Sequence, residues 1–187
     1  MLYHTGYLTR DTISDAGDCV SLRIPNKEIN HIVKKIVLRY FASFVRHCDR
    51  NSLFSAFWSG DAALLEKLVT DIFERSISFY DSHPSFCHGF IAGLFIGSGY
   101  TVQSNKEFGN GRPDVVVIDE KTSSVALIDV KRTDDPKRFA KLAGDAERQI
   151  RLGEYAAPFK LDGYLHISHW GLAFYKKQCR SFFTAIW

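Results

Sequence analysis

Asp114, Asp129 and Lys131 are the residues of this 187-residue chain whose types and spacing could do chemistry. Two carboxylates and an ammonium brought to one point can hold a hard divalent cation and offset the charge that builds up when a phosphoryl group is attacked. All three lie in the stretch from Gly109 to Lys131. There, two apolar runs, Val115 to Ile118 and Val125 to Val130, flank the polar segment Asp119 to Ser124, which is how a β-hairpin reads. Asp114 leads into the first strand, and Asp129 and Lys131 close the second. Side chains two apart on a strand share a face, so Asp129 and Lys131 point the same way as Val125 and Leu127. Charge on an otherwise apolar face is costly unless it is compensated. A divalent cation held by Asp114 and Asp129 would compensate it. An isolated Asp-x-Lys is equally well an ion pair at a strand end. This one is distinguished by the Gly-x-Gly-Arg-Pro-Asp turn that feeds the neighbouring strand.

The rest of the chain must position these groups. With 45% hydrophobic residues, fifteen Phe and eight Tyr, it can bury one good core with a small appended subdomain. A formal charge of +3 does not by itself argue for nucleic acid. Cys19, Cys48, Cys87 and Cys179 form no Cys-x-x-Cys pair and no zinc pattern, and they read as thiols in a reducing cytosol. The first residues are too polar for a signal peptide and no apolar run would span a bilayer, so a soluble cytoplasmic protein with no membrane contact is expected.

Tyr3 to Thr9 and Val20 to Ile24 read as strands around a polar turn, Asp11 to Asp18. Asn26 then caps a helix whose apolar stripe runs from Ile29 to Val45. Leu53 to Trp58 reads as a short turn, and Asp61 as the cap of a further helix. Phe86 to Phe95 marks a helix that carries His88 on or beside its apolar face. Tyr100 to Ser104 is expected to be the first core strand. After Lys131, Asp134-Asp135-Pro136 start a helix that runs to Leu152 with Gly153 at its end. Its inner stripe holds Phe139, Leu142, Ala143, Ala146 and Ile150, and Gln149 joins it. Leu161 to Ser168 and Gly171 to Tyr175 read as two further strands, the first parallel to the Asp129 strand, with Arg180 to Trp187 a last one.

Pro113-Asp114 followed by Asp129-Val130-Lys131 resembles the signature of the PD-(D/E)XK nucleases. Ser104-Asn105-Lys106-Glu107 before the Gly-rich turn, the His88-Gly89-Phe90 helix upstream and Gln149-Ile150 followed by Tyr155 downstream narrow the resemblance. They match the nuclease domain found at the C-terminus of bacterial AAA-ATPase-like proteins. Thr5 to Thr9 and Leu22 to Glu28 resemble the linker that joins the ATPase-like region to the nuclease in that family. No phosphate-binding Gly-x-x-x-x-Gly-Lys-[Ser/Thr] loop is present, and the chain reads as a shortened relative or an excised piece.

The resemblance implies an α/β (α+β) protein on a restriction-endonuclease-like αβββαβ core, a mixed β-sheet flanked by helices, with an N-terminal helical subdomain. The domains expected are residues 1–80 for linker strands and helical subdomain and 81–187 for the nuclease-like part. It implies a Mg²⁺- or Mn²⁺-dependent phosphodiesterase acting on nucleic acid, DNA before RNA. The metal would be held by Asp114, Asp129 and the carbonyl of Val130, with His88 or Glu107 completing the set. Lys131 would orient the attacking water or stabilise the transition state. Gln149 and Tyr155 would orient substrate or the lysine, and Arg112 either contacts a phosphate or pairs with an acid. Three of these residues also have plain alternatives: His88 as a hydrogen-bonded core residue, Glu107 as an acceptor for turn amides and Gln149 as a buried amide. An ATPase partner follows from the linker, and self-association is left open. One departure favours a rival reading, an inactive nuclease-fold module that binds nucleic acid or protein: relatives carry a Glu four residues before the histidine, where this chain has Pro84.

Overall fold

Continuous apolar strand runs, then a capped amphipathic helix, build a mixed sheet around the residues singled out above. A computed structural model of the chain describes residues 9–13, 20–23, 25, 26, 28, 49–76, 84–96, 98–104 and 112–186. The chain divides into two compact units, 1–42 and 43–187. In the first, β1 (Thr9–Ile13) and β2 (Val20–Arg23) form an antiparallel ribbon whose register shifts between Arg10 and Ile13. Strand structure therefore continues into residues expected to be the turn after Thr9. Apart from Asn26 and Glu28, the helix expected from Asn26 to Val45 lies outside the described residues.

The second unit holds α1 (Arg50–Ser59), α2 (Ala62–Ser76), α3 (Pro84–Phe95), β3 (Thr101–Ser104), β4 (Val115–Asp119), β5 (Ser124–Arg132), α4 (Pro136–Leu152), α5 (Ala157–Leu161), β6 (His166–Tyr175) and β7 (Gln178–Ala185). Its five strands lie in the order β3-β4-β5-β6-β7. All neighbours are antiparallel except β5 and β6, which run parallel with Asp129 opposite Gly171. A parallel pair needs a crossover, and α4 supplies it. With the short α5 as an addition between α4 and β6, the run α3-β3-β4-β5-α4-β6 is the αβββαβ order that the resemblance implied, with a mixed sheet and flanking helices.

The two faces of the sheet are covered by different helices. On one, Val116, Ile118, Val125, Leu127 and Ile167 pack with Ile150, Tyr155, Ala156 and Phe159 from α4 and its sequel. Phe139, Leu142 and Ala143 of α4 meet Ala173 on the same face. The other face is aromatic: Phe57 of α1 stacks on Trp170 at 5.5 Å, and Phe73 of α2 stacks on Phe174 at 4.7 Å and meets Phe90 of α3 edge-on at 4.4 Å. Such pairs add about 0.5–1.5 kcal/mol each beyond the area they bury.

Local chemistry fixes the helix ends. Asp135 accepts from the Lys137 N–H at 2.9 Å with Pro136 in the first turn, and the Gly153 N–H closes on the Gln149 carbonyl at 3.0 Å. Asp61 likewise accepts from the Leu64 N–H at 3.0 Å at the start of α2.

Several sequence expectations are corrected. Residues 50–59 form a ten-residue helix rather than a turn, because Asp49 caps it and Leu53, Ala56 and Phe57 have an aromatic sheet face to bury against. Leu161 ends a helix and is not a strand residue. β6 runs unbroken from His166 through Gly171, since Gly171 sits inside the ladder instead of interrupting it. β7 begins at Gln178, ahead of the expected Arg180. The two compact units part between residues 42 and 43, and within the second α1 and α2 are packed on the sheet itself.

Candidate active site

The site forms where β4 starts and β5 ends, on the α4 face of the sheet. Asp129 sits in a row of fully buried strand residues and is itself only 1% exposed. Burial pushes its carboxyl up to about 6, the nearby Asp114 charge adds to the rise, and the Lys131 ammonium opposes it. Lys131, two residues on and on the same face, places Nζ 2.8 Å from Asp129 Oδ2. The same ammonium donates to Gln149 Oε1 of α4 at 2.7 Å. Beyond that ammonium, Asp129 Oδ2 has no hydrogen-bonding partner among the described residues.

Asp114 comes from the turn into β4. Its Oδ2 accepts a hydrogen bond from the Val130 N–H at 2.8 Å, which draws the first acid to the strand segment that carries the second. His88 approaches from α3. Its Nδ1 lies 3.8 Å from Asp114 Oδ1, and its Nε2 is hydrogen-bonded to Ser104 Oγ at 2.7 Å. The structure thus brings His88, Asp114, Asp129, Lys131 and Gln149 into one linked set, with Val130 contributing its N–H.

A match to a family model accompanies this geometry: a model described as the PD-(D/E)XK nuclease superfamily matches residues 84–183. The chain belongs to the PD-(D/E)XK nuclease superfamily. The matched span runs from the first residue of α3 into β7 and includes every described residue of the linked set. Searches among curated proteins and among solved structures gave no match. Members of the superfamily are usually hydrolytic nucleases that use divalent metals, and a nuclease-type function is the coarse reading that membership supports.

Other residues singled out in the sequence fall elsewhere. Arg112 is exposed, two residues before Asp114. Glu107 lies outside the described residues, as do both glycines of the turn, Gly109 and Gly111. Gln149 is exposed and not a member of the buried stripe, since its side chain leaves the helix face to reach Lys131. Tyr155 is buried in the core cluster with Val116, Leu127 and Phe159, so the structure places it as packing under the sheet and not beside Lys131. The late basic residues are engaged locally: Lys177 donates to the Glu74 carbonyl at 3.2 Å, Arg180 pairs with Glu66 at 3.5 Å and Lys176 lies over the Tyr175 ring.

Does this set suit a metal? Among the described residues, no three acid, imidazole or thiol groups are gathered closely enough to enclose an ion by themselves. The side-chain donors that are present are two carboxylates and one imidazole. That is a set for a hard or borderline cation such as Mg²⁺ or Mn²⁺. The buried Asp129 oxygen, short of hydrogen-bond donors, fits the same group.

Two features escaped the sequence reading. Glu147 and His169 are buried at 4% and 2% exposure, with His169 Nδ1 3.5 Å from Glu147 Oε1. Burial holds the His169 imidazole below its ordinary range, and the Glu147 carboxylate pulls the other way. The signal was present: Glu147 lies on the inner stripe of α4, between Ala143 and Ile150, and His169 alternates with Ile167 and Gly171. The second is Gly171, where a Cβ would meet the Ala143 carbonyl oxygen at 1.9 Å and the Glu147 nitrogen at 2.5 Å. No side chain fits between α4 and β6 at that point.

Proposed function

We propose that this protein is a metal-dependent nuclease that hydrolyses phosphodiester bonds of DNA, with RNA a further substrate class to test. The observation that carries the reading is the Lys131 ammonium held between Asp129 and Gln149, on the strand segment to which Asp114 is clamped. His88, Asp114, Asp129 and the Val130 carbonyl would hold a Mg²⁺ or Mn²⁺ ion. When bound, that ion supplies an activated water and neutralises charge on the phosphoryl oxygens.

The chain's own residues then have distinct tasks. Asp129, with its carboxyl raised to about 6, is ionised near neutral pH and offers its oxygens as ligands. Asp114 keeps one oxygen on the Val130 N–H and turns the other toward His88. Lys131 brings a fixed positive charge to the place where negative charge develops, which is worth most when it is held ready beforehand. Gln149 limits the positions that charge can take. Arg112, exposed before Asp114, is suited to a phosphate of the bound strand.

Cleavage of single- and double-stranded DNA and RNA in Mg²⁺ or Mn²⁺, with EDTA and Asp129→Ala as controls, tests the reading. Metal-dependent cutting that the variant loses supports it. If no substrate is cut and no metal binds in calorimetry, an inactive binding module is the better account. The residue at position 84 bears on that alternative: α3 begins at Pro84, where proline suits a first helical turn and no carboxylate is supplied. An ATPase partner, suggested by the linker-like residues 5–9 and 22–28, would be sought by co-purification. Among the described residues no helix is long and apolar enough to cross a membrane.

A further inference from the structure

The His88 imidazole is gripped at one nitrogen and offered at the other. Ser104 is the last residue of β3 and stands opposite Val115, the neighbour of Asp114. Its hydroxyl meets His88 Nε2 at 2.7 Å, while Nδ1 faces Asp114 Oδ1 at 3.8 Å. That second distance is too long for a hydrogen bond. It is short enough for both atoms to touch one cation, because two metal–ligand bonds of about 2.1 Å span up to about 4.2 Å. An imidazole that ligates through one nitrogen carries its proton on the other, and the partner of that proton sets the ring's tautomer and orientation.

We propose that Ser104 is a positioning residue: it accepts the Nε2 proton of His88 and so fixes Nδ1, lone pair outward, beside Asp114 as a metal ligand. The proposal rests on the nuclease reading given above and adds to it a named residue and a metal preference. Magnesium favours oxygen donors and takes nitrogen poorly, whereas Mn²⁺ accepts an imidazole more readily. A serine-fixed His88 therefore biases the site toward Mn²⁺.

The test is metal binding to the intact chain, with no substrate present. Calorimetry with Mn²⁺ and with Mg²⁺ is run on the wild type, Ser104→Ala, Ser104→Thr and His88→Ala, with thermal melts to confirm folding. Pulsed electron paramagnetic resonance of bound Mn²⁺ reads nitrogen coupling directly. Wild type is expected to show imidazole coupling. Ser104→Ala should lose most of it and bind Mn²⁺ about ten- to a hundredfold more weakly, with a smaller change for Mg²⁺. Ser104→Thr, which keeps the hydroxyl, should restore both. Unchanged Mn²⁺ affinity and coupling in Ser104→Ala would overturn the proposal. So would bound Mn²⁺ without nitrogen coupling in the wild type. In either case loss of binding in Asp129→Asn would leave the nuclease reading standing. If the wild type binds neither metal, both fall together.

Discussion

Asp114 and Val130 are joined across the hairpin by a hydrogen bond in which the Val130 N–H donates to Asp114 Oδ2 at 2.8 Å. The acid that leads into one strand is thereby tied to the residue between Asp129 and Lys131 on the next. The bond asks only for an acceptor oxygen, whereas metal chemistry asks for charge. Asp114→Asn is expected to keep the clamp and fold with near wild-type stability, yet lose cleavage. Asp114→Ala leaves the N–H without its partner and should cost about 1–3 kcal/mol as well as activity. Urea unfolding beside a cleavage assay separates the two. Equal destabilisation by Asn and Ala would mean that the clamp depends on charge.

Asp129 bears a cost that its chemistry explains. Its folded-state carboxyl, at about 6, stands above the ordinary 3.8 because burial and the Asp114 charge outweigh the help from Lys131. The folded protein thus holds this proton more tightly than the unfolded chain. Ionising it lowers stability as pH rises through the window from 3.8 to about 6, and the loss persists above it. Asp129→Asn carries no such loss. The metal-free variant is expected to be more stable than metal-free wild type at neutral pH, with the gain shrinking toward pH 4, and to be inactive. Added Mn²⁺ should raise the wild-type melting temperature and leave that of the variant unchanged.

What could be read in the sequence followed from periodicity and local chemistry. The β4–β5 hairpin, the capped α4 helix and the parallel placement of β6 each announce themselves in a short window of residues, and so do Asp114, Asp129 and Lys131. The misplaced features depend on long-range packing. Nothing within residues 53–58 says that Phe57 will stack on Trp170 and make a helix of that segment. Gln149 reads as a stripe residue by spacing, but the Lys131 ammonium draws it outward. Tyr155 reads as a site residue by motif, but the core needs its ring. Ser104 has no motif of its own, and only the approach of α3 to β3 sets its hydroxyl against His88.

His169 supplies an opposite pH term. Burial holds its folded-state imidazole below the ordinary 6.5, against the pull of Glu147 beside it; Arg151 from α4 and Lys160 from α5 add to the depression. As pH falls below 6.5 the unfolded chain takes up this proton first, so stability declines with acid from there downward. The Asp129 term opposes it over part of that range, and the contrast must be made between variants. The stability of His169→Gln is expected to fall less steeply than that of the wild type as pH drops from neutral to about 5. Denaturant unfolding across that range checks it. Parallel curves would mean that His169 does not titrate between the two states.

Gly171 of β6 faces α4, and Gly144 of α4 faces Phe182 of β7, but the two should respond oppositely to alanine. At Gly171, the register partner of Asp129, an added Cβ would lie 1.9 Å from the Ala143 carbonyl oxygen and 2.5 Å from the Glu147 nitrogen. Both are backbone atoms of α4 and cannot swing aside, so the helix must lift from the sheet. Overpacking of this kind costs about 1–3 kcal/mol and sometimes more. The same shift carries Gln149, two residues past Glu147, away from Lys131, and nuclease activity should fall with stability. At Gly144, on α4 itself, the nearest atom to an added Cβ is Phe182 Cδ2 at 3.9 Å, an ordinary contact. Replacing a helix-interior glycine by alanine there should stabilise by about 0.5–1 kcal/mol and leave activity intact. Unfolding curves and cleavage rates of the two variants decide the matter. A Gly171→Ala protein with wild-type stability and rate would mean that α4 can move without disturbing Lys131, and that the Gln149 contact is not held by packing against β6.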